Sequence, residues 1–200
     1  AYRKAKFILS VSNDTTKCIN LAFPFCSNKI LKQSLSVNAG AIPNNKKKNY
    51  ITYMERKLPF HSKNVLFFLK NNLSRNWKIK NIHNLTEKKV FEILSISKIF
   101  LSFSELEGLG LPPIEAAIAK NRVIGYAGEG GSEYWKKPIF NEIKNGNILK
   151  FCETIIKYTK NLNNFKFSEK QRLMLINNYS AKKEKNYIKK NLEKIKSIYY

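Results

Sequence analysis

Carboxylates are scarce in this chain. Against 37 lysines and arginines its 200 residues carry only 14 aspartates and glutamates, for a formal net charge of +23. Such a field attracts polyanions, with nucleic acid the first suspect. Arginine, the usual reader of phosphates and guanine edges, is itself scarce beside lysine. Lysine is also spread along the whole chain with abundant asparagine and isoleucine, the bias of an AT-rich genome. The charge therefore argues for background composition ahead of nucleic-acid binding. A membrane surface or an anionic nucleotide stays compatible with it. Cysteine is limited to Cys18, Cys26 and Cys152, scattered and without metal-type pairing, which excludes a disulfide framework and fits a reducing cytosol. Histidine is rarer still. His61 has no second ligand nearby, and His83 with Glu87 falls short of a metal site, so no metal is expected. No apolar run is long enough to cross a bilayer, and no signal peptide is read at the start. The opening at Ala1, with a strand from Ala5 to Leu9, is what a portion of a longer chain would show. Four Asn-x-Ser/Thr matches, beginning at Asn13, Asn72, Asn84 and Asn178, are expected by chance in so asparagine-rich a sequence.

The 43% hydrophobic and 12% aromatic content describes a folded protein with one good core and a smaller appendage. Strand and helix signals alternate, which predicts a parallel sheet covered by helices. Strands are expected at Phe7–Val11, Ser34–Val37, Tyr50–Met54, Trp77–Ile82, Ile99–Phe103 and Arg122–Tyr126. Asn13 or Asp14 caps a helix that Pro24 ends. The run Asn44–Asn49, polar, charged and aperiodic, reads as a linker. A helix over Pro59–Asn71 should face inward with Val65, Phe68 and Leu69. A second, capped by Thr86, should do so with Val90, Phe91, Leu94 and Ile93. Helices follow at Asn147–Tyr158, after a Ser168/Gln171 capping pair, and from Ala181. In the last of these Tyr187 or Ile188, Leu192, Ile195 and Tyr199 form an apolar stripe among lysines. The stripe packs on the core or, as the second reading, lies on a membrane.

The chemistry concentrates in Glu107-Gly108-Leu109-Gly110-Leu111-Pro112-Pro113-Ile114-Glu115. Two acids bracket a glycine-interrupted bend and a proline-opened helix, directly after the most apolar strand. That order puts them at the carboxyl end of a strand, where open α/β sheets bind ligands. Glu107 is expected in the loop, and Glu115 in the first helical turn, where it also complements the dipole. Loop amides and a helix start suit a phosphate. Carboxylates would repel that phosphate and accept hydrogen bonds from hydroxyls beside it. A ligand with a phosphate centre and hydroxyls on both sides is a nucleotide sugar.

This segment resembles the E-x7-E signature of retaining glycosyltransferases with the GT-B fold, usually E-G-F-G-L-P-P-L-E. It departs only at Leu109 and Ile114. The resemblance implies the C-terminal half of a GT-B fold: a Rossmann-like, doubly wound parallel sheet with a C-terminal helix crossing back to the preceding domain. It implies that Glu107 holds the donor sugar by its hydroxyls and Glu115 the ribose, with the Gly108, Leu109, Gly110 and Leu111 backbone near the diphosphate or sugar. Arg56 and Lys57 fall where the family places its diphosphate-neutralising pair, with Lys63 the competing lysine. Each could equally be a solvated basic turn. Asn84 sits where relatives contact the base, although helix capping explains it first. Gly131 and Glu133 resemble the family's G-G-x-x-E-like turn, and either line the acceptor side or make a tight turn. The implied organisation is residues 1–45 as the tail of an acceptor-side domain and linker, 46–165 as the nucleotide-sugar domain and 166–200 as a helical end. The implied activity is transfer of a sugar, with retention, from a nucleotide donor of unspecified base to a glycan or lipid-linked acceptor. It would need no other cofactor, in the cytoplasm or at the inner face of the membrane. The competing classes are a basic nucleic-acid-binding module and a noncatalytic interaction module.

Overall fold

The computed structural model describes residues 1–55, 58–161 and 167–199. Its centre is a five-stranded, wholly parallel sheet in the order β4-β3-β5-β6-β7. The strands are β3 (Tyr50–Tyr53), β4 (Lys78–Asn81), β5 (Ile99–Glu107), β6 (Arg122–Glu129) and β7 (Phe140–Glu142). A parallel sheet needs covering on both faces, and β5 shows why this one sits centrally. Ile99, Phe100, Leu101 and Phe103 on both of its sides are buried, each such side chain contributing roughly 1.5–3 kcal/mol. Helices α2 (Pro59–Lys70) and α5 (Ile148–Lys160) cover one face of the sheet. Helices α3 (Glu87–Ile96) and α4 (Leu111–Ile118), with α6 (Glu169–Asn178), cover the other.

The strand order reverses at β3. The chain runs outward to β4, then returns to lay β5 along the other side of β3. The crevice of an open α/β sheet forms at such a reversal, outside the carboxyl ends of the strands.

A smaller unit precedes this sheet. β1 (Ile8–Ser10) pairs in parallel with β2 (Ile30–Lys32) through α1 (Asn13–Ala22) and a 3-10 turn at Pro24–Lys29. The strand expected at Ser34–Val37 is absent, and β2 lies four residues earlier. Ile30–Lys32 can line up with β1, whereas Val37 spends its N–H on the Tyr179 carbonyl at the end of α6. The cap of α1 is Ser12, one residue before the expected Asn13, with its Oγ accepting from the Thr15 N–H. Thr86 holds the cap position of α3 without a side-chain bond. Val65 and Leu69 of α2 face inward as expected, but Phe68 is 52% exposed and Ser62 is buried in its place. Ser168 caps α6 as expected, but the Gln171 side chain bridges the Ile139 N–H and the Lys136 carbonyl rather than reaching back.

The long α7 (Ala181–Tyr199) crosses back to the β1–β2 unit. The expected stripe is only in part its seam: Tyr187 and Ile195 are half-buried, Ile188 and Leu192 are exposed, and the Tyr199 side chain lies outside the described residues. Polar groups dock the helix. Asn191 donates to the Lys32 carbonyl and the Gln33 Oε1, each at 3.1 Å, and Ser36 donates to Glu184. Asparagine at this register satisfies the open backbone after β2, which an apolar residue could not.

The aperiodic Asn44–Asn49 run has no secondary structure, yet it is pinned. Lys47 Nζ donates to the carbonyls of Leu94 and Ser97 at the end of α3 and of Ala119 at the end of α4. It thereby serves two sets of orphan carbonyls at once. Burial, with the like charge of Lys120 adding, lowers its pKa from 10.5 to about 7. Between those values the unfolded chain binds the proton more readily than the folded one, so stability rises with pH across that window. The unfolding free energy read from urea titration should therefore climb from about pH 7 to about pH 9, by on the order of 1–2 kcal/mol. The same titration of Lys47→Met should lack that climb.

Candidate functional site

A cavity of about 350 Å³ opens at the strand reversal. Met54 after β3, the Ile82–Leu85 segment after β4, Ser102, Ser104 and Glu107 of β5, and Pro112 and Pro113 of α4 line it. The floor is apolar and the rim carries carboxylate, hydroxyl and amide groups, the usual make-up of a small-molecule site. Asn84 stands on the rim with φ of +50°, a left-handed conformation that asparagine tolerates better than most residues. His83 beside it, weighed from sequence only as a metal ligand, also lines the cavity. So do Ser102 and Ser104, which alternate along the end of β5. A period-two reading carried past Phe103 would have found them.

Glu107 is the last residue of β5 rather than a loop residue. The β5–β6 register shifts between Ser104 and Glu107, and Glu107 then pairs with Glu129. The shift lets the strand run two residue pairs beyond its apolar stretch and brings Glu107 to the cavity. Glu115 is also displaced from expectation. Leu111, rather than a proline, begins α4, so Glu115 is its fifth residue and lies beyond the first turn. It is half-buried and does not line the cavity, sitting one turn further along α4 toward Glu87. Desolvation, then the charge of Glu87, raises its pKa from 4.5 to about 7. The dipole explanation for Glu115 is weakened accordingly, since that effect fades after the first turn.

Between the two acids the backbone is held from behind. Gly130 follows β6, and a β-carbon there would fall 2.2 Å from the Gly108 carbonyl oxygen and 2.5 Å from that of Glu107. Only glycine allows this approach. Tyr134 Oη donates to the Gly110 carbonyl at 2.7 Å. Gly110 caps α4 with φ of +78°, and Leu109 anchors in the core at 3% exposure. Pro112 and Pro113 lack an N–H. The first turn of α4 therefore offers the amide of Leu111, with those of the bend, to an anion.

The β1–β2 unit reaches the same bend. Thr15 Oγ1 donates to the Gly108 carbonyl at 3.3 Å, and the Asn13 N–H donates to Glu133 Oε2 at 3.0 Å. Lys32 Nζ lies 3.9 Å from that oxygen. Glu133 thus ties the 3-10 turn Gly130–Glu133 to the start of α1, where a carboxylate complements the dipole. Gly131 is buried beside Tyr134. Neither lines the larger cavity; Glu133 borders a second one of about 310 Å³ shared with Asn13, Lys32, Lys136 and Lys183. Lys63 is exposed on α2 and outside both cavities. Arg56 and Lys57 lie outside the described residues. Among the described residues no group of histidine, cysteine or acidic side chains could hold a metal ion, and no helix is long and apolar enough to cross a membrane.

No protein-family model matches the chain. A stretch of 48 residues, 24% of the chain, is 44% identical to an alpha-1,6-glucosyltransferase of Actinobacillus pleuropneumoniae serotype 7 (strain AP76) and covers 14% of that protein. In structure the chain is similar to a mutant of S. aureus TarM solved with fondaparinux, alpha-GlcNAc-glycerol and UDP. The TM-score is 0.72 at 20% identity, over 96% of this chain and 44% of TarM. It is similar to Anabaena HepE in complex with UDP and glucose, with a TM-score of 0.79 at 9% identity over 97% of this chain and 65% of HepE. It is also similar to the pneumococcal O-GlcNAc transferase GtfA with UDP and GlcNAc, with a TM-score of 0.64 at 12% identity over 99% of this chain and 46% of GtfA. The chain spans about half the length of these solved structures. The neighbours are GT-B glycosyltransferases, and the fold here is their Rossmann-like parallel-sheet architecture with a C-terminal helix.

The clamp behind the bend has a measurable strength. Tyr134→Phe leaves a buried carbonyl with one partner fewer and should lower stability by about 1–3 kcal/mol in urea. Gly130→Ala, which must push two carbonyls aside, should cost more than Tyr134→Phe in the same assay.

Proposed function

We propose that the chain is the donor-binding portion of a retaining glycosyltransferase, moving a sugar from a nucleotide onto a glycan or lipid-linked acceptor. One observation carries the reading. The two acids of the E-x7-E segment flank a backbone bend fixed at the strand reversal, with a cavity of nucleoside size against its β4 side. Residues 46–165 form the donor domain in this reading, 1–45 the tail of the acceptor-side domain and 166–200 the helical return. The TarM, HepE and GtfA structures hold UDP, which makes a uridine donor the first to try.

Each group then has a task set by its chemistry. The base enters between Asn84 and the apolar floor. The ribose hydroxyls donate to Glu115, and the sugar hydroxyls donate to Glu107. The diphosphate meets the Leu111 amide and the amides of the bend, with Arg56 or Lys57 neutralising it. As the glycosidic bond breaks, charge builds on the leaving diphosphate, and fixed amides and cations stabilise it there without reorganising. The acceptor approaches from the side of Gly131 and Glu133 and attacks the face the diphosphate leaves. No protein nucleophile is required. The enzyme works in the cytoplasm, in peripheral contact with the inner face of the membrane when its acceptor is lipid-linked.

The state of Glu115 supplies a test. Hydroxyl donors favour its ionised form, and in the free protein that form develops only as pH passes about 7. Affinity for UDP-glucose, whose diphosphate does not titrate in this range, should tighten as pH rises through about 7 and level off above it. Glu115→Gln should remove the pH dependence and weaken binding by about tenfold, the loss of one or two bonds to a charged acceptor. Calorimetry across the range reads both. Absence of saturable binding for UDP-, GDP- and ADP-sugars alike would sink the assignment.

A further inference from the structure

Exposed aromatic side chains are concentrated on one helix. In α2, Ser62, Val65 and Leu69 are buried against the sheet, while Phe60 is 73% exposed, Phe67 71% and Phe68 52%. At 3.6 residues per turn, Phe60, Lys63, Phe67 and Lys70 fall in one row opposite the buried positions. Phe68 widens the row, its ring 5.4 Å from that of Phe67. Three largely exposed phenylalanines on a single helix are a contiguous apolar patch, and such patches mark contact surfaces.

The surrounding charge says what kind of contact. From Leu58 to Thr86 the sequence contains Lys63, Lys70, Arg75, Lys78 and Lys80 and not one carboxylate. A protein partner that complemented this face would have to match both rings and ammonium groups. An anionic lipid surface does so by nature, taking the rings at the acyl boundary and the lysines among its headgroups. The position of α2 in the fold agrees. It lies with α5 on the face of the sheet opposite α6 and the bend, so a flat surface against it leaves the crevice open. Of the other exposed apolar residues, Leu85, Leu106, Leu149, Leu173 and Met174 are dispersed over separate elements, while Leu9, Leu21, Ile188 and Leu192 belong to the β1–α1–β2 unit and α7. These four lie beside a two-stranded sheet whose outer edges are unpaired among the described residues, a surface suited to protein.

We propose that the outward face of α2, through Phe60, Phe67 and Phe68 with Lys63 and Lys70, docks on an anionic lipid bilayer. The inference stands apart from the transfer reading, since it uses neither acid nor the cavity. A charge of +23 alone draws the protein to any anionic vesicle, so the test must read insertion at this face rather than binding. In a Cys18→Ser background, which removes the exposed thiol and leaves the two buried ones, Phe67→Cys and Ile188→Cys carry a polarity-sensitive fluorophore. With vesicles of phosphatidylcholine and phosphatidylglycerol at physiological salt, the label at 67 should shift to the blue and be quenched by bilayer-embedded quenchers. The label at 188 should not respond, and neither should respond to phosphatidylcholine alone. Unlabelled Phe67→Ser/Phe68→Ser should bind the mixed vesicles about tenfold more weakly. Its thermal midpoint and UDP-glucose affinity should be unchanged.

Four outcomes overturn the proposal. The label at 188 responds in place of 67; neither label responds although the protein sediments with vesicles; or the double variant keeps its vesicle affinity. In the fourth, sedimentation velocity finds self-association that the double variant abolishes, making the face an interface between copies.

Discussion

The site depends on a contact between two backbones. Where Gly130 passes behind Glu107 and Gly108, no side chain fits, and the carbonyls of the bend rest against the chain leaving β6. This approach, with the Tyr134 hydroxyl on Gly110, sets where β5 stops and where α4 starts. Every proposed donor group on this side of the cavity inherits its position from there. Glu107 is itself part of the contact, the Leu111 amide the first after the bend, and Glu115 one helical turn on. A site built this way is preorganised by backbone, which loses little entropy on binding.

The far end of α4 is held as firmly. Asn121 Nδ2 donates to the carbonyls of Leu94 and Ala116, Lys47 to that of Ala119, and Arg172 Nε to that of Ile118 at 2.6 Å. An eight-residue helix has little stability of its own. Here donors from the linker, from the turn before β6 and from α6 meet its C-terminal carbonyls, while the glycine contact fixes its start. Three separate stretches of chain thus place one short helix. That explains why a run as unpromising as Asn44–Asn49 is ordered through a single lysine.

The elements that could be read from sequence are those whose signal is local. β3, β5, β6, α2 and α5 emerge within a few residues of where periodicity and composition place them, because burial on both faces leaves a plain apolar record. The E-x7-E segment was legible for another reason, its glycines and prolines being backbone requirements written directly into residue type. What could not be read came from partners distant in the chain. β2 is chosen over Ser34–Val37 by what lies beside each, and α7 is docked by Asn191, which looks like one more polar residue among lysines. The extension of β5 to Glu107 follows from a register shift against β6, invisible along either strand alone. Along the sequence Glu133 fits a turn or an acceptor-side residue, whereas its bond to the Asn13 amide spans 120 positions.

In the proposed donor reading, the few acids of this basic chain give the crevice its selectivity. In a chain of +23, any polyphosphate is drawn in, and attraction alone would not tell a sugar nucleotide from a nucleic acid. Carboxylates reverse this locally. Glu105, Glu107 and Glu129 stand together at the ends of β5 and β6, with Glu133 just behind. A continuous phosphate backbone laid across them would meet repulsion at each step. In that reading a ligand whose charge is confined to one diphosphate avoids it, with its neutral hydroxyls toward the acids and only its centre toward the amides. Long-range charge then governs arrival, and a few short-range acids govern what is retained.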